Sequence, residues 1–236
     1  MSNLLTASIG RKLLMSVTGL FLILFLFVHL ILNSFLLLDS CMGFETGQMF
    51  NAGVHFMGTN PLIKIIEPTL ALGFLVHIIY SLILTFQNWK ARGSQSYASG
   101  NKTSGVSFAS QNMLVLGIVI FSFLAVHIFN FFLKMKGYTA WEPSEVEFPF
   151  FGATAKGENA YALVHETFKS LPIVIAYIVG SVALAFHLSH GFWSSFQTIG
   201  WNNSIWMPRM RVISNVVAII LGGGFTVIAL AQYLFF

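Results

Sequence analysis

The stretch FHLSHGFW, residues 186–193, sets His187 and His190 three positions apart in surroundings almost free of polarity. The chain holds seven histidines, and five of them (His29, His77, His127, His187 and His190) fall inside long apolar runs. An imidazole without a partner in hydrocarbon is costly. Each of the five therefore needs an occupation: a hydrogen bond to a neighbouring carbonyl, proton transfer, or ligation of a metal. The single cysteine, Cys41, excludes an internal disulfide, and no C-x-x-C-H string is present to attach a c-type haem covalently.

The elements that carry these histidines follow from composition. Of 236 residues, 56% are apolar and only 8% charged, with a mean hydropathy of +0.78, far from the charge content of a soluble globular domain. Five runs are long enough to cross a bilayer as helices, at roughly residues 13–38, 63–88, 112–133, 171–196 and 212–236. The expected fold is an all-α membrane protein, a single domain over residues 1–236 with five transmembrane helices. Residues 1–30 place Arg11 and Lys12 ahead of an apolar run, but that run is too long for a secretory signal and lacks a small-x-small cleavage site, so it reads as a retained first span.

Charge sets the orientation. Arg11, Lys12, Lys90, Arg92, Lys102, Arg209 and Arg211 lie at the N-terminus and in the second and fourth connections, with no acid among them. The positive-inside rule makes these segments cytoplasmic. All eight acids, Asp39, Glu45, Glu67, Glu142, Glu145, Glu147, Glu158 and Glu166, fall on the other side with five lysines. The net charge of +4 thus reflects topology and gives no reason to expect nucleic acid. The Ser-, Gly- and Asn-rich connection 89–112 reads as an exposed cytoplasmic surface able to dock a soluble partner. The segment 39–62 is short of charge and reads as interfacial. In the connection 134–170, Ala160, Leu163, Val164 and Phe168 recur at helical spacing and predict a surface helix before Pro172. LGGGF at 221–225 predicts close helix packing.

Helical rise converts position into depth. At about 1.5 Å per residue, His29 and His127 lie ~24 Å and ~23 Å from the cytoplasmic ends of their spans, and His77 and His187 ~16 Å and ~14 Å. Four helices thus contribute one histidine each, at two levels roughly 8 Å apart, while His190 at ~9 Å has no counterpart. Two histidines facing one another across a bundle are what a six-coordinate haem needs, since the porphyrin supplies four nitrogens and the imidazoles the two axial positions. Two pairs imply two haems in a four-helix bundle. A structural zinc would want four ligands at one point, cysteine among them, and a proton relay would want carboxylates inside the spans. Gly73 and Ala183, each four residues before a paired histidine, lie on the ligand face and could leave room for a macrocycle or serve helix packing.

At this point the residues resemble a known family. FVHLILN around His29, AGVHFMGTNP around His55, LVHIIYSL around His77, AVHIFNF around His127, and FHLSHGFW followed by IGWN are similar to the single-chain, five-helix, two-haem cytochrome b anchor of succinate:quinone oxidoreductases, the succinate dehydrogenases and fumarate reductases. The resemblance covers nearly the whole chain in order and spacing. It implies two haem b groups, with His29 and His127 axial to the distal haem, and His77 and His187 axial to the proximal one. His190 is then the surplus residue, a propionate partner or a polar group near the inner interface. The resemblance further implies a flavoprotein carrying FAD and an iron-sulfur subunit on the cytoplasmic face, over 89–112 and the 197–211 turn. It also implies menaquinone as the quinone, a bacterial inner membrane location, and an assembly open to pairing as a dimer of heterotrimers. The anchor itself performs no succinate chemistry.

For the quinone, His55 is the titratable group best placed on the outer side, with Asn33 and Thr59 as hydrogen-bonding candidates. Some fumarate reductases carry an acid two residues before the span-four ligand, where this chain has Ala185. Two other readings stay open at this point: a stand-alone quinol-linked di-haem cytochrome with another partner, and a haem-free transporter or assembly subunit. The second would favour an internal repeat and discontinuous spans, and the chain shows no internal repeat.

Overall fold

A computed structural model describes residues 7–92 and 107–236. Five helices long and apolar enough to cross a membrane carry most of the chain. We label the helices α1 (Ser8–Met42), α2 (Gln48–Thr59), α3 (Pro61–Arg92), α4 (Met113–Met135), α5 (Ala160–Phe168), α6 (Leu171–Thr198) and α7 (Trp206–Leu234); a short helical turn, Phe108–Gln111, precedes α4. Strands β1 (Glu145–Phe150) and β2 (Ala153–Glu158) form a hairpin between α4 and α5. The spans are those expected, mostly longer by a few residues at their ends. The part of the 89–112 connection expected to dock a partner that covers 93–106 lies outside the described residues.

In lipid no hydrophobic force drives helix onto helix, so close backbone approach and interhelical hydrogen bonds decide the packing. α6 is the central helix, packed against α1, α4 and α7, while α3 packs on α1. The neighbour order is therefore α3, α1, α6, α4, with α7 against α6 and α1. The LGGGF motif works as expected. A Cβ on Gly222 would stand 2.6 Å from the Ala185 Cβ and 2.8 Å from the Ser181 carbonyl, and one on Gly224 would stand 2.8 Å from Leu30. Gly180 of α6 likewise admits the Phe123 ring of α4. The fully buried Ser214 hydroxyl of α7 donates to the carbonyls of Leu188 and Ser189 at 2.9 and 2.8 Å. Such a bond between spans contributes about 0.6 kcal/mol on average. Large apolar side chains, among them Leu24, Leu72, Leu75, Ile118, Phe121 and Ile219, stay exposed on the outside of the bundle, as a lipid-facing surface requires.

One end of the bundle carries the start of α1, Arg209 and Arg211; the two arginines lie over the Trp206 and Trp193 rings at 5.3 and 4.9 Å. The other end, here the hairpin side, carries α2, the hairpin and α5. Asp39 ends the first span, and its buried carboxylate accepts from the backbone N–H of Gly47 at 2.6 Å and of Met49 at 2.9 Å, capping α2. Gly47 has φ 88°, and a Cβ there would meet the Tyr161 ring at 2.7 Å, so the turn into α2 needs glycine twice over. Asn51 of α2 accepts from the Tyr161 N–H at 2.9 Å, and its amide donates to Asn159, the N-cap of α5, at 3.3 Å. The expected surface helix is α5, and its buried residues are the expected four, Ala160, Leu163, Val164 and Phe168.

Two elements go beyond the expected five spans and surface helix. Residues 145–158 were expected as loop and form the antiparallel hairpin, paired Glu145↔Glu158 through Phe150↔Ala153. Glu145-Val146-Glu147-Phe148 alternates polar and apolar, but Pro149 and Gly157 cut the pattern short, which is tolerated because a two-stranded sheet has only edges. The interfacial segment 39–62 holds a full helix, α2, whose Phe50 is buried with Leu36, Phe168 and Ile228.

Candidate functional site

The four paired-level histidines meet in twos. His29 of α1 and His127 of α4 have ring centroids 5.7 Å apart at an interplanar angle of 89°, and His77 of α3 and His187 of α6 have theirs 6.4 Å apart at 71°. Neither pair joins packing neighbours: in the order α3, α1, α6, α4, each reaches past one intervening helix. The pairs thus face across the interior. An iron bound at ~2 Å by one nitrogen of each ring separates two imidazole centroids by about 6 Å. Both observed separations lie at that value. All four rings are half-buried, with part of their surface open.

Ligation by Nε2 requires the proton on Nδ1, and the partners of Nδ1 decide this. The Thr18 hydroxyl donates to the Leu14 carbonyl at 2.8 Å, so its oxygen is left as acceptor for His77 Nδ1, 3.4 Å away. A proton on Nδ1 directed at that oxygen leaves the Nε2 lone pair free. On α6, the Tyr177 hydroxyl lies 3.4 Å from His127 Nδ1 and accepts from the Asn130 amide, also at 3.4 Å. Asn130 is buried in the π-helical turn Ile128–Phe132 that directly follows His127. Phe123, Phe131 and Tyr177 pack on His127 with centroids 5.8, 5.3 and 5.9 Å away, and Phe25 stacks on His29 at 5.3 Å. His187 differs, since its Nδ1 is buried without a hydrogen-bond partner.

Gly19 of α1 lies against one ring of the second pair; a Cβ there would stand 3.3 Å from the His77 ring. Gly73 and Ala183 turn out to serve packing. A Cβ on Gly73 meets the Phe21 ring of α1 at 3.1 Å, and Ala183 is buried with Ala109 and Leu116. Thr18, Gly19, Asn130 and Tyr177 were not among the expected site residues. The available signal was their polarity or smallness within runs of large apolar residues. His190 stands one turn beyond His187, its ring edge-on to Trp193 at 4.9 Å and its Nδ1 buried without a partner.

On the hairpin side, His55 of α2 is half-buried between Phe148 and Phe150 of β1, at centroid distances of 5.5 and 5.1 Å. Gly157 of β2 admits it, as a Cβ there would come 3.2 Å from His55 Nδ1. Beside it lies a cavity of about 440 Å³, lined by Phe35, Gln48, Gly53, Phe56, Phe150 and Phe151 among others. His55, Asn33 and Thr59 are not drawn together around that cavity. The Asn33 amide donates to the His29 carbonyl at 2.7 Å, and the Thr59 hydroxyl to the His55 carbonyl at 2.8 Å. Near α5, burial first and the Asp39 carboxylate second push the Tyr161 phenol above its ordinary range.

Fold and site together define a five-span helical membrane protein with two facing pairs of histidines in its interior. Among the described residues no three His, Cys, Asp or Glu side chains converge, so each centre offers two protein donors. The chain is 25% identical over 198 residues to the succinate dehydrogenase cytochrome b558 subunit of Bacillus subtilis (strain 168), an alignment spanning 84% of this chain and 81% of that protein. This similarity supports the resemblance to cytochrome b anchors. No protein-family model matches the chain. No solved structure matches it.

Proposed function

We propose that this chain is the cytochrome b membrane subunit of a succinate dehydrogenase-type complex, binding two haem b groups and passing electrons between an iron-sulfur subunit and a quinone. The observation that carries this reading is the double histidine juxtaposition across non-neighbouring helices, with the Thr18 oxygen placed to accept from His77 Nδ1–H. His29 and His127 would hold one haem, nearer the hairpin side, and His77 and His187 the other. The residues present fit the group: two imidazoles per centre, hydroxyl partners on Nδ1, and aromatic walls. Haem b, when bound, supplies reversible one-electron transfer at each level.

The chain's own residues orient and enclose. The Thr18 and Tyr177 oxygens would accept from Nδ1–H of His77 and His127 once Nε2 is on iron, the π-helical turn after His127 aims Asn130 at Tyr177, and the apolar helix faces exclude water. The N-terminal side, with Arg11, Lys12, Arg209 and Arg211, is the cytoplasmic side and docks the flavoprotein and iron-sulfur subunits. The quinone, menaquinone in this reading, enters on the hairpin side. There His55 exchanges protons with it beside the Phe150 wall of the 440 Å³ cavity, a volume suited to a small organic ring. Asn33 and Thr59 would join it only by giving up their bonds within the helix.

The test is haem content per chain in the detergent-purified complex, with reduced-minus-oxidised spectra and identification of co-purifying polypeptides. Two b-type haems with a flavoprotein and an iron-sulfur protein are expected. Two haems with neither partner would turn the assignment to a stand-alone cytochrome. A folded chain without haem, expressed with ample haem supply, would overturn the reading.

A further inference from the structure

The β1–β2 hairpin is polar at its base and apolar at its tip. Its base pairs set Glu145 against Glu158 and Glu147 against Lys156, the last two joined at 2.9 Å. The tip runs Phe148-Pro149-Phe150-Phe151-Gly152-Ala153 without a charge. Phe151 and Gly152 form the two-residue connection with φ of 48° and 81°, the signs of a type I′ turn. That turn prefers Asn, Asp or Gly at its first central position, and a bulky residue in the left-handed region costs of order 1–3 kcal/mol. Phe151 nevertheless occupies it with 86% of its surface exposed, touching only the neighbouring Phe150 ring and the edge of Phe56 among the aromatic rings. Those contacts do not account for a phenylalanine there, so the reason lies outside the chain.

Depth identifies what lies outside. Phe150 and Phe151 share a cavity wall with Phe35, which precedes the end of α1 at Met42 by seven residues, about 10 Å along the helix. Phe35 also lies within the apolar span Ile9–Asp39. The tip therefore reaches back from the end of the bundle to the level of the spans. Phe56, the ring that Phe151 meets, continues into Leu62 and Ile65 at the start of α3, which are 61% and 67% exposed on the lipid-facing surface.

We propose that the hairpin tip, Phe150 and Phe151, inserts into the lipid leaflet on the hairpin side, a wedge that holds β1–β2 down over α2 while the charged base stays in water. The inference goes beyond the haem reading and does not depend on it.

The test is a nitroxide spin label on Phe151→Cys in a Cys41→Ser background, Cys41 being the only cysteine. The full-length chain, with whatever subunits accompany it, is reconstituted in phosphatidylcholine–phosphatidylglycerol vesicles. Collision rates with lipid-soluble oxygen and with a water-soluble nickel chelate are then compared, with Lys156→Cys in the same background as reference. The label at 151 is expected to collide preferentially with oxygen, and the label at 156 preferentially with nickel. Nickel accessibility at 151 equal to that at 156 would overturn the proposal, and so would a label at 151 that meets neither reagent, because a protein partner would then cover the tip.

Discussion

Replacing Tyr177 by phenylalanine removes one oxygen and keeps the ring, whose edge-to-face contacts with Phe123 and Phe168, both at 5.0 Å, maintain the packing. What is lost is the oxygen 3.4 Å from His127 Nδ1, which would accept from Nδ1–H once Nε2 is on iron, and with it the partner of the Asn130 amide. A donor bond from Nδ1–H pushes electron density toward the ligating nitrogen and favours the oxidised iron. At 3.4 Å the bond is long, so its differential worth belongs at the low end of the hydrogen-bond range, about 0.5–1 kcal/mol. For a one-electron couple 59 mV corresponds to a tenfold change, so Tyr177→Phe should raise the potential of one haem by about 20–40 mV. Optical redox titration of the α band, resolved into two one-electron components, is the assay. One component should move positive with haem content unchanged, and Thr18→Val should do the same to the other component through His77. If Tyr177→Phe moves both components together, moves one negative, or moves neither, the assignment of the hydroxyl as a partner of a haem ligand is refuted.

Replacing His187 should remove one of the two haems, whereas His190→Ala should leave both, read by haem extraction and quantitation; the opposite pattern would exchange their roles. Gly222→Ala places a methyl 2.6 Å from the Ala185 Cβ and 2.8 Å from a backbone carbonyl and should destabilise the fold by about 1–3 kcal/mol in thermal or detergent unfolding, while Gly223→Ala, with nothing within 4 Å, should change stability little. Asp39→Ala leaves the Gly47 and Met49 N–H groups without their carboxylate, and should cost about 1–3 kcal/mol locally, visible as faster hydrogen exchange at the start of α2. The same substitution removes the negative charge beside Tyr161, so its phenol should titrate at lower pH, while burial still holds it above the ordinary value.

The five spans were legible because a bilayer imposes a length and an apolarity that a sequence displays directly. His29 with His127, and His77 with His187, were legible as pairs because a constant rise per residue turns position along a helix into depth. The buried stripe of α5 and the packing role of Gly222 were equally readable from period and residue size. Depth, however, carries no azimuth. That His77 faces Thr18, that His127 faces Tyr177, and that Gly73 turns to Phe21 and not toward a cofactor all depend on how each helix is rotated against its neighbours. The π-helical turn that aims Asn130 also leaves no mark in hydropathy. The hairpin and α2 were missed because their patterns are short and interrupted by glycine and proline; Asp39 caps α2 from the end of the first span, and Asn51 holds the start of α5 from far along the chain. Sequence alone thus determined how many spans there are and at what level each histidine sits, both being one-dimensional quantities measured along a helix. Only the tertiary structure decided which ring each histidine meets across the bundle and which groups lie beside it, because those are set by contacts between helices.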